Sequence, residues 1–125
     1  MNENVKNKII EELKNDKILK GLLGMSSSEI EIYFILIGNQ MSVGDISELL
    51  GIERSSVYKC IKNLYRRKLV RRRKTQRVKG NGSRYVFNSV SLSNFKTLVE
   101  KNLDYWFGII ECLSLERKKD KLWRS

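Results

Sequence analysis

The stretch SVGDISELLGIERSSVYKCIKNLYRR, residues 42–67, contains signals for two helices separated by a tight turn. Ser42 can cap the first helix, and Asp45 stands three residues later, where a capping box uses Glu or Gln. Gly51 ends this helix after barely two turns, because glycine readily adopts the left-handed backbone that follows helices. A longer helix then runs from residue 54 to about 67, with one apolar face made of Val57, Cys60, Ile61 and Leu64. A short helix, a glycine-containing turn and a longer helix with basic residues outside form the helix-turn-helix pattern.

The residues after the second helix predict a two-stranded hairpin. An extended basic run begins at Leu69, and residues 80–83 are a turn signal because Gly and Asn tolerate positive φ. Residues 84–88 are rich in β-branched and aromatic side chains and predict the second strand. An isolated hairpin is marginal in water, so we expect it to pack on the helices through Val78, Tyr85 and Phe87. A helix-turn-helix with a basic hairpin, or wing, at about residues 70–88 is a winged helix, a mainly α fold of the α+β type.

Helical patterns also precede this unit. An amphipathic helix is predicted from residue 4 to about 23, with a break near Asn15–Asp16 or Gly21 and an end at Gly24. Serines at 26–28 offer caps for a further helix, which Gly38–Asn39 stops. We therefore expect residues 1–90 to form the winged helix-turn-helix domain, together with its N-terminal helix.

Residues from 91 or 93 to about 117 predict one long helix in the C-terminal segment 91–125, and we expect its charged end, residues 116–125, to fray. Its apolar positions alternate in steps of three and four residues, which is a heptad seam. We expect this helix to be the dimer interface of a homodimer, within a single globular unit, and Asn102 to set its register; the alternative is a helix that packs only on its own domain. The expected interface residues are Phe95, Val99, Asn102, Trp106, Ile109 and Leu113.

The positive charge of the chain is confined to one segment. The net charge is +11 over 125 residues, and thirteen of the 25 basic residues lie between Arg54 and Arg84. No acidic residue occurs between Glu53 and Glu100, while the rest of the chain carries twelve basic and fourteen acidic residues. A segment this one-sided is more typical of a surface that binds a polyanion than of a solvated face.

Composition excludes several classes of function. There is no histidine, which rules out Ser-His or Cys-His catalytic pairs and histidine metal sites. Cys60 and Cys112 are too few for a disulfide framework or a four-thiolate site, so we expect two buried free thiols and no metal or cofactor. The longest apolar run is six residues, at 32–37, against roughly 20 for a membrane span. We expect a cytoplasmic, nucleoid-associated protein that is not an enzyme and binds no membrane.

The outward face of the second helix is the expected surface for the major groove of double-stranded DNA, because an α-helix fits that groove. It contains Arg54, Ser55, Ser56, Tyr58, Lys59, Lys62, Asn63 and Arg66. Arg54, the two serines and Lys59 are the best candidates for base edges, although Ser55 and Ser56 are equally suited to capping the helix. We expect about half of the wing cations to contact phosphates or the minor groove: Arg71, Arg72, Arg73, Lys74, Arg77, Lys79 and Arg84.

Residues 23–72 resemble the DNA-binding domain of archaeal TrmB-like regulators and, more broadly, MarR-type winged helices. The matching pieces are residues 24–30, residues 46–52, and Arg54 to Tyr58 continued by Ile61, Leu64, Leu69 and Val70. Larger TrmB-like proteins carry a C-terminal sugar-binding domain, for which this chain has no room. Glu53 also departs from the Ser, Asp or Pro that is frequent there. The resemblance implies a stand-alone dimeric DNA-binding regulator, with no support for sugar sensing.

Three other functions stay open at this point. The basic wing alone would suit an abundant architectural protein that coats DNA with little sequence preference. Winged helices also serve as protein-interaction modules. Finally, Cys60 is a candidate redox sensor, because neighbouring Lys59 and Lys62 would lower the pKa of its thiol.

Overall fold

The computed structural model describes residues 2–76 and 83–124, and its elements follow the predicted order. The helices and strands are α1 (Glu3–Asn15), α2 (Lys17–Leu23), α3 (Ser27–Ile35), α4 (Val43–Leu50), α5 (Arg54–Arg66), β1 (Val70–Gln76), β2 (Ser83–Ser89) and α6 (Leu92–Arg124). The fold is a winged helix-turn-helix with N-terminal helices and a long C-terminal helix, as predicted.

The N-terminal helices break and end where the local signals predict. Asp16 ends α1 and caps α2, because its carboxylate accepts a hydrogen bond of 2.9 Å from the Leu19 amide. Gly24 ends α2 with φ 62°, a left-handed conformation that glycine adopts without steric cost. Ser26 and Glu29 then form a reciprocal capping box at the start of α3.

The helix-turn-helix begins with the second capping box. The Asp45 amide donates to Ser42 Oγ and the Ser42 amide donates to Asp45 Oδ2, each at 3.1 Å. The backbone hydrogen bond from Ser42 holds the pKa of Asp45 below its usual value. Gly51 closes α4 with φ 66°. The predicted capping role of Asp45 is confirmed, so three-residue spacing alone places the first turn of α4.

The wing is an antiparallel pair whose register runs from Val70 opposite Ser89 to Gln76 opposite Ser83. It is anchored at its base, where Val86 and Phe87 are buried and Met41 pairs with Phe87 as an isolated bridge. Tyr85, also predicted to anchor the hairpin, is 44% exposed and is not part of the buried core. Its ring instead lies against Arg72, which also contacts Tyr65 of α5. Val78 lies outside the described residues.

The core is formed by residues of α2, α3, α5 and the base of the wing, and the first turns of α6 pack against it. Tyr33 is fully buried and stacks on Phe95 with 4.9 Å between ring centroids. Leu98 and Val99 are half-buried against the same core. Asn102 donates its side-chain amide to the Leu22 carbonyl at the end of α2. The start of α6 therefore belongs to the domain, and this determines which of its residues remain available to a partner.

Candidate nucleic-acid interface

The two faces of α5 separate as the sequence predicts. Val57, Ile61 and Leu64 are buried in the core. Asn63 is half-buried, and the remaining predicted residues are exposed: Arg54, Ser55, Ser56, Tyr58, Lys59, Lys62 and Arg66. The structure thus brings all eight predicted residues of α5 onto the accessible part of one helix, with four cations among them.

The two serines on the first turn of α5 are exposed, and neither is the N-cap residue of that helix. The N-cap residue is Glu53, which makes no side-chain capping hydrogen bond. Ser55 Oγ lies 3.4 Å from Glu53 Oε2, and Ser56 donates its backbone amide to the Glu53 carbonyl. Ser55 and Ser56 thus lie within the first turn of α5 and not at its N-cap, and the Ser55 hydroxyl donates to the Glu53 carboxylate.

The guanidinium of Arg54 lies over the first turn of α4. A Cβ built on Gly44 would stand 3.2 Å from Arg54 Nη2, closer than nearly all real contacts of that kind. Glycine at position 44 therefore lets the arginine lie flat against α4 while remaining exposed. The side chain connects the two helices of the helix-turn-helix on its outer surface.

Two adjacent arginines at the end of α5 have different surroundings. Arg66 Nη2 donates to Asn63 Oδ1 on the outer face, at 2.7 Å. Arg67 instead donates to the Leu23 carbonyl at 2.6 Å and to the Gly24 carbonyl at 2.8 Å. It thus satisfies carbonyls at the end of α2 that have no partner within that helix. No local sequence pattern indicates this role, because the partners are 43 and 44 residues away.

The strand register divides the wing cations between two faces. Arg72 and Lys74 share the face of Phe87 and Tyr85, whereas Arg71 and Arg73 share the other face with Val86. Arg72 lies against the rings of Tyr65 and Tyr85, and Arg73 donates to Gln40 Oε1 at 2.7 Å. Within residues 2–76 and 83–124, three wing cations have no side-chain hydrogen bond, ion pair or aromatic contact: Arg71, Lys74 and Arg84. The charge of Arg84 does contribute to the lowered pKa of Asp45. Arg77 and Lys79 lie outside the described residues.

The two thiols, both expected to be buried, lie in different environments: Cys60 is half-buried and Cys112 is exposed. Burial, assisted by the Glu29 carboxylate, raises the pKa of Cys60. This is opposite to the lowering expected from Lys59 and Lys62, so the reactive thiolate that a redox sensor needs is disfavoured. Cys112, which we expected to be buried, is exposed on α6.

The predicted interface residues of α6 fall into two groups. Phe95, Val99 and Asn102 contact their own domain, an arrangement that the heptad spacing did not distinguish from a seam. Trp106 is 50% exposed and Leu113 is 60% exposed. Ile109 lies between them, and other large apolar side chains extend this surface: Tyr105, Phe107, Ile110 and Leu115.

Comparisons with known proteins agree with this geometry. Residues 19–93 match the family described as "Sugar-specific transcriptional regulator TrmB". An uncharacterized protein of Methanocaldococcus jannaschii is 35% identical over 104 residues, which cover 79% of this chain and 84% of that protein. No helix in the described part of the chain is long and apolar enough to cross a membrane.

Two solved structures share the fold. A possible transcriptional regulator from Methanosarcina mazei superposes with a TM-score of 0.67 at 18% identity, covering 82% of this chain and 84% of that one. A transcriptional regulator homologue from Pyrococcus horikoshii gives 0.51 at 17% identity, covering 86% and 96%. At these identities the likeness concerns the winged helix alone.

Proposed function

Because the chain belongs to the TrmB family of transcriptional regulators, we propose that it is a sequence-specific regulator that binds double-stranded DNA as a homodimer. The family and the fold neighbours are regulators and not enzymes. DNA binding is implied by that membership. The mode of binding proposed below rests on the surface of α5 and the wing.

The observation that carries the proposal is the single sign of charge on this surface. Thirteen cations and no acid lie between residues 54 and 84, and in the described part they line the outside of α5 and both faces of the wing. Ion pairs occur elsewhere, at Lys14 with Glu11 and Glu31 and at Lys96 with Glu100. A surface with so large an excess of cations gains free energy by releasing counterions from DNA.

In the proposed complex α5 lies in the major groove. Its first turn carries Arg54, Ser55, Ser56 and Lys59, which read base edges; a guanidinium pairs well with guanine, and hydroxyls can donate or accept. Tyr58 and Lys62 lie on the same face, where they can contact a base or a phosphate. Asn63 and Arg66 are farther along α5 and contact the backbone.

The wing supplies phosphate contacts beside the groove. Arg71, Lys74 and Arg84 are exposed and form no side-chain hydrogen bond or ion pair among the described residues, which suits them to phosphates. We propose that Arg77 or Arg84 reads the width of the neighbouring minor groove.

The exposed part of α6 is the proposed dimer interface. Trp106, Ile109 and Leu113 keep heptad spacing beyond the point where the helix leaves its own domain. A second copy related by a two-fold axis would cover this surface and place the two α5 helices about one DNA turn, roughly 34 Å, apart. The expected target is therefore an inverted repeat.

The salt dependence of DNA affinity tests the phosphate contacts. Lys62, Arg66, Arg71, Lys74 and Arg84 provide about five contacts per protomer, so log K for a dimer falls against log salt with a slope near −9. The measurement is fluorescence anisotropy with a labelled duplex between low and moderate salt. A slope flatter than about −3 would contradict the assignment.

Sequence specificity separates a regulator from an architectural protein. A regulator binds its selected site at least about a thousandfold more tightly than random duplex at the same salt. The site is obtained by selection from a random duplex library, and both affinities are measured on the full chain. A ratio near one favours the architectural role, and no binding at all favours a protein-interaction module.

Sedimentation of a charged variant tests the dimer. Trp106→Glu places a carboxylate in the proposed apolar interface, and we expect a monomer where the parent is a dimer. Lys101→Glu, an exposed position on another side of α6, is the matched control and should remain dimeric. An unchanged dimer for Trp106→Glu, with helical content retained by circular dichroism, would refute this interface.

A further inference from the structure

We propose that Arg72 is a positioning residue and not a phosphate ligand: it holds the wing on the end of the recognition helix by lying between Tyr65 and Tyr85. The proposal deepens the DNA-binding function and rests on it for its affinity readout. It removes one cation from the set of candidate phosphate contacts and gives Tyr65 a role that the sequence did not indicate.

The geometry of the three side chains carries the inference. The guanidinium carbon of Arg72 is 5.2 Å from the ring centroid of Tyr65 and 4.7 Å from that of Tyr85. Both distances are within the roughly 6 Å over which an aromatic face attracts a cation. Tyr65 belongs to α5, Arg72 to β1 and Tyr85 to β2, so one side chain connects all three elements of the DNA-binding surface.

Among the described residues, Arg72 makes no salt bridge or side-chain hydrogen bond that would compete with the two rings. No carboxylate occurs between residues 54 and 99, so an ion pair with a neighbour in this segment is impossible. Tyr65 and Tyr85 are 47% and 44% exposed, and such large half-exposed rings contribute little as core residues. They are well suited to holding a guanidinium between them, because planar arginine stacks well on aromatic rings.

The place of this cluster in the wing explains why it is needed. The buried anchor of the hairpin ends with Val86 and Phe87, and a two-stranded hairpin has little stability of its own. Arg72 lies opposite Phe87, and Tyr85 is the next residue on that face toward the tip. The cluster of Arg72, Tyr65 and Tyr85 thus holds the wing against α5 at a point closer to the tip than Phe87. It therefore determines the positions of Lys74 and Arg84 relative to α5.

The experiment compares four variants of the full chain by anisotropy titration over a range of salt. Arg72→Gln and Tyr65→Leu should each raise Kd by about five- to thirtyfold, as expected when two weak cation–π interactions are removed. The slope against log salt should stay within error of the parent, since the phosphate-binding cations are all still present. Tyr65→Phe, which keeps the ring, should restore the parent affinity, and the double variant Tyr65→Leu with Arg72→Gln should be no weaker than either single variant.

Arg71→Gln is the matched control, because Arg71 is the preceding residue, lies on the other face and has no described partner. It should lower the magnitude of the slope by about 0.9 for each phosphate that is no longer neutralised, or about 1.8 for a dimer. A similar slope change in Arg72→Gln would identify Arg72 as a phosphate ligand and overturn the proposal. So would an unchanged affinity in Tyr65→Leu.

A second readout needs no DNA. Heteronuclear NOE values of the amides at residues 71–75 and 84–86 report the order of the wing in the free protein. They should fall in Arg72→Gln and stay at the parent level in Arg71→Gln. If the parent fails to bind DNA, the proposed function fails but this measurement still supports or refutes the positioning role; equal values in the two variants would refute it.

Discussion

The same substitution should have different effects at the neighbouring residues Arg66 and Arg67. Replacing Arg67 with Met keeps an unbranched apolar stem but removes both hydrogen bonds to the end of α2. Replacing Arg66 with Met removes only an exposed bond to Asn63 within α5. We expect Arg67→Met to lower stability and Arg66→Met to weaken DNA binding.

The size of the stability loss follows from the hydrogen bonds of Arg67. Hydrogen bonds with a charged donor contribute about 1.5–3 kcal/mol each when shielded from water. Arg67 is an exposed residue, so water screens its charge and can solvate the two carbonyls after its removal. We therefore expect a total loss of about 1–2 kcal/mol. For 125 residues the unfolding entropy near the midpoint makes this a decrease in Tm of about 4–8 °C.

Thermal unfolding followed by circular dichroism measures this loss, and anisotropy titration on the same preparations measures binding. Arg66→Met should stay within about 0.5 kcal/mol of the parent, as is usual for exposed positions. It should flatten the salt slope by about 1.8 for a dimer. Arg67→Met should leave the slope unchanged at temperatures where it is folded. If the Tm of Arg67→Met equals that of the parent, the connection between α2 and α5 does not stabilise the domain.

Two further predictions concern single buried or capping groups. Tyr33 Oη is buried without a hydrogen-bond partner among the described residues, so Tyr33→Phe should stabilise the chain by about 1 kcal/mol in urea titrations at pH 7. Burial raises the pKa of Tyr33 above its ordinary 10.0, so the parent loses stability as the pH rises above 10. The Phe variant should lose less stability over the same pH range. Equal losses in the two proteins at alkaline pH would contradict this. Asp45→Ala should cost about 1 kcal/mol at pH 7 through loss of the capping box. Because the pKa of Asp45 is lowered from 3.8, that cost should disappear as the pH falls below 3.8, and a cost that persists in acid would disprove the capping role.

Most elements of this protein could be placed from short-range signals. Asp16, Gly24, Ser42, Asp45 and Gly51 start or end helices through contacts with residues at most five positions away. Such contacts depend on backbone geometry that is the same in every protein, so most predicted helix boundaries are confirmed within a few residues. The exception is the end of α6, which continues to Arg124, beyond its predicted end near residue 117. The buried face of α5 followed in the same way from helical periodicity.

The sequence predicted which residues belong to the candidate site, but not which contacts each of them makes. Charge alone pointed to all seven wing cations, but it did not separate Arg71, Lys74 and Arg84 from cations with partners inside the protein. Gln40 contacts Arg73 across 33 residues, and nothing in the local sequence marks such a pair.

The amino-acid sequence by itself determined the winged helix, the α5 face and the confinement of positive charge to one segment, because each depends on local spacing or on composition. Only the tertiary structure decided which residues of the heptad pattern in α6 pack on the core of their own domain and which remain exposed. Phe95 stacks on Tyr33, whereas Trp106, farther along the same pattern, is half-exposed. The steps of three and four residues are the same on both parts of the helix. What differs is whether another part of the chain lies opposite, and that depends on how distant elements pack.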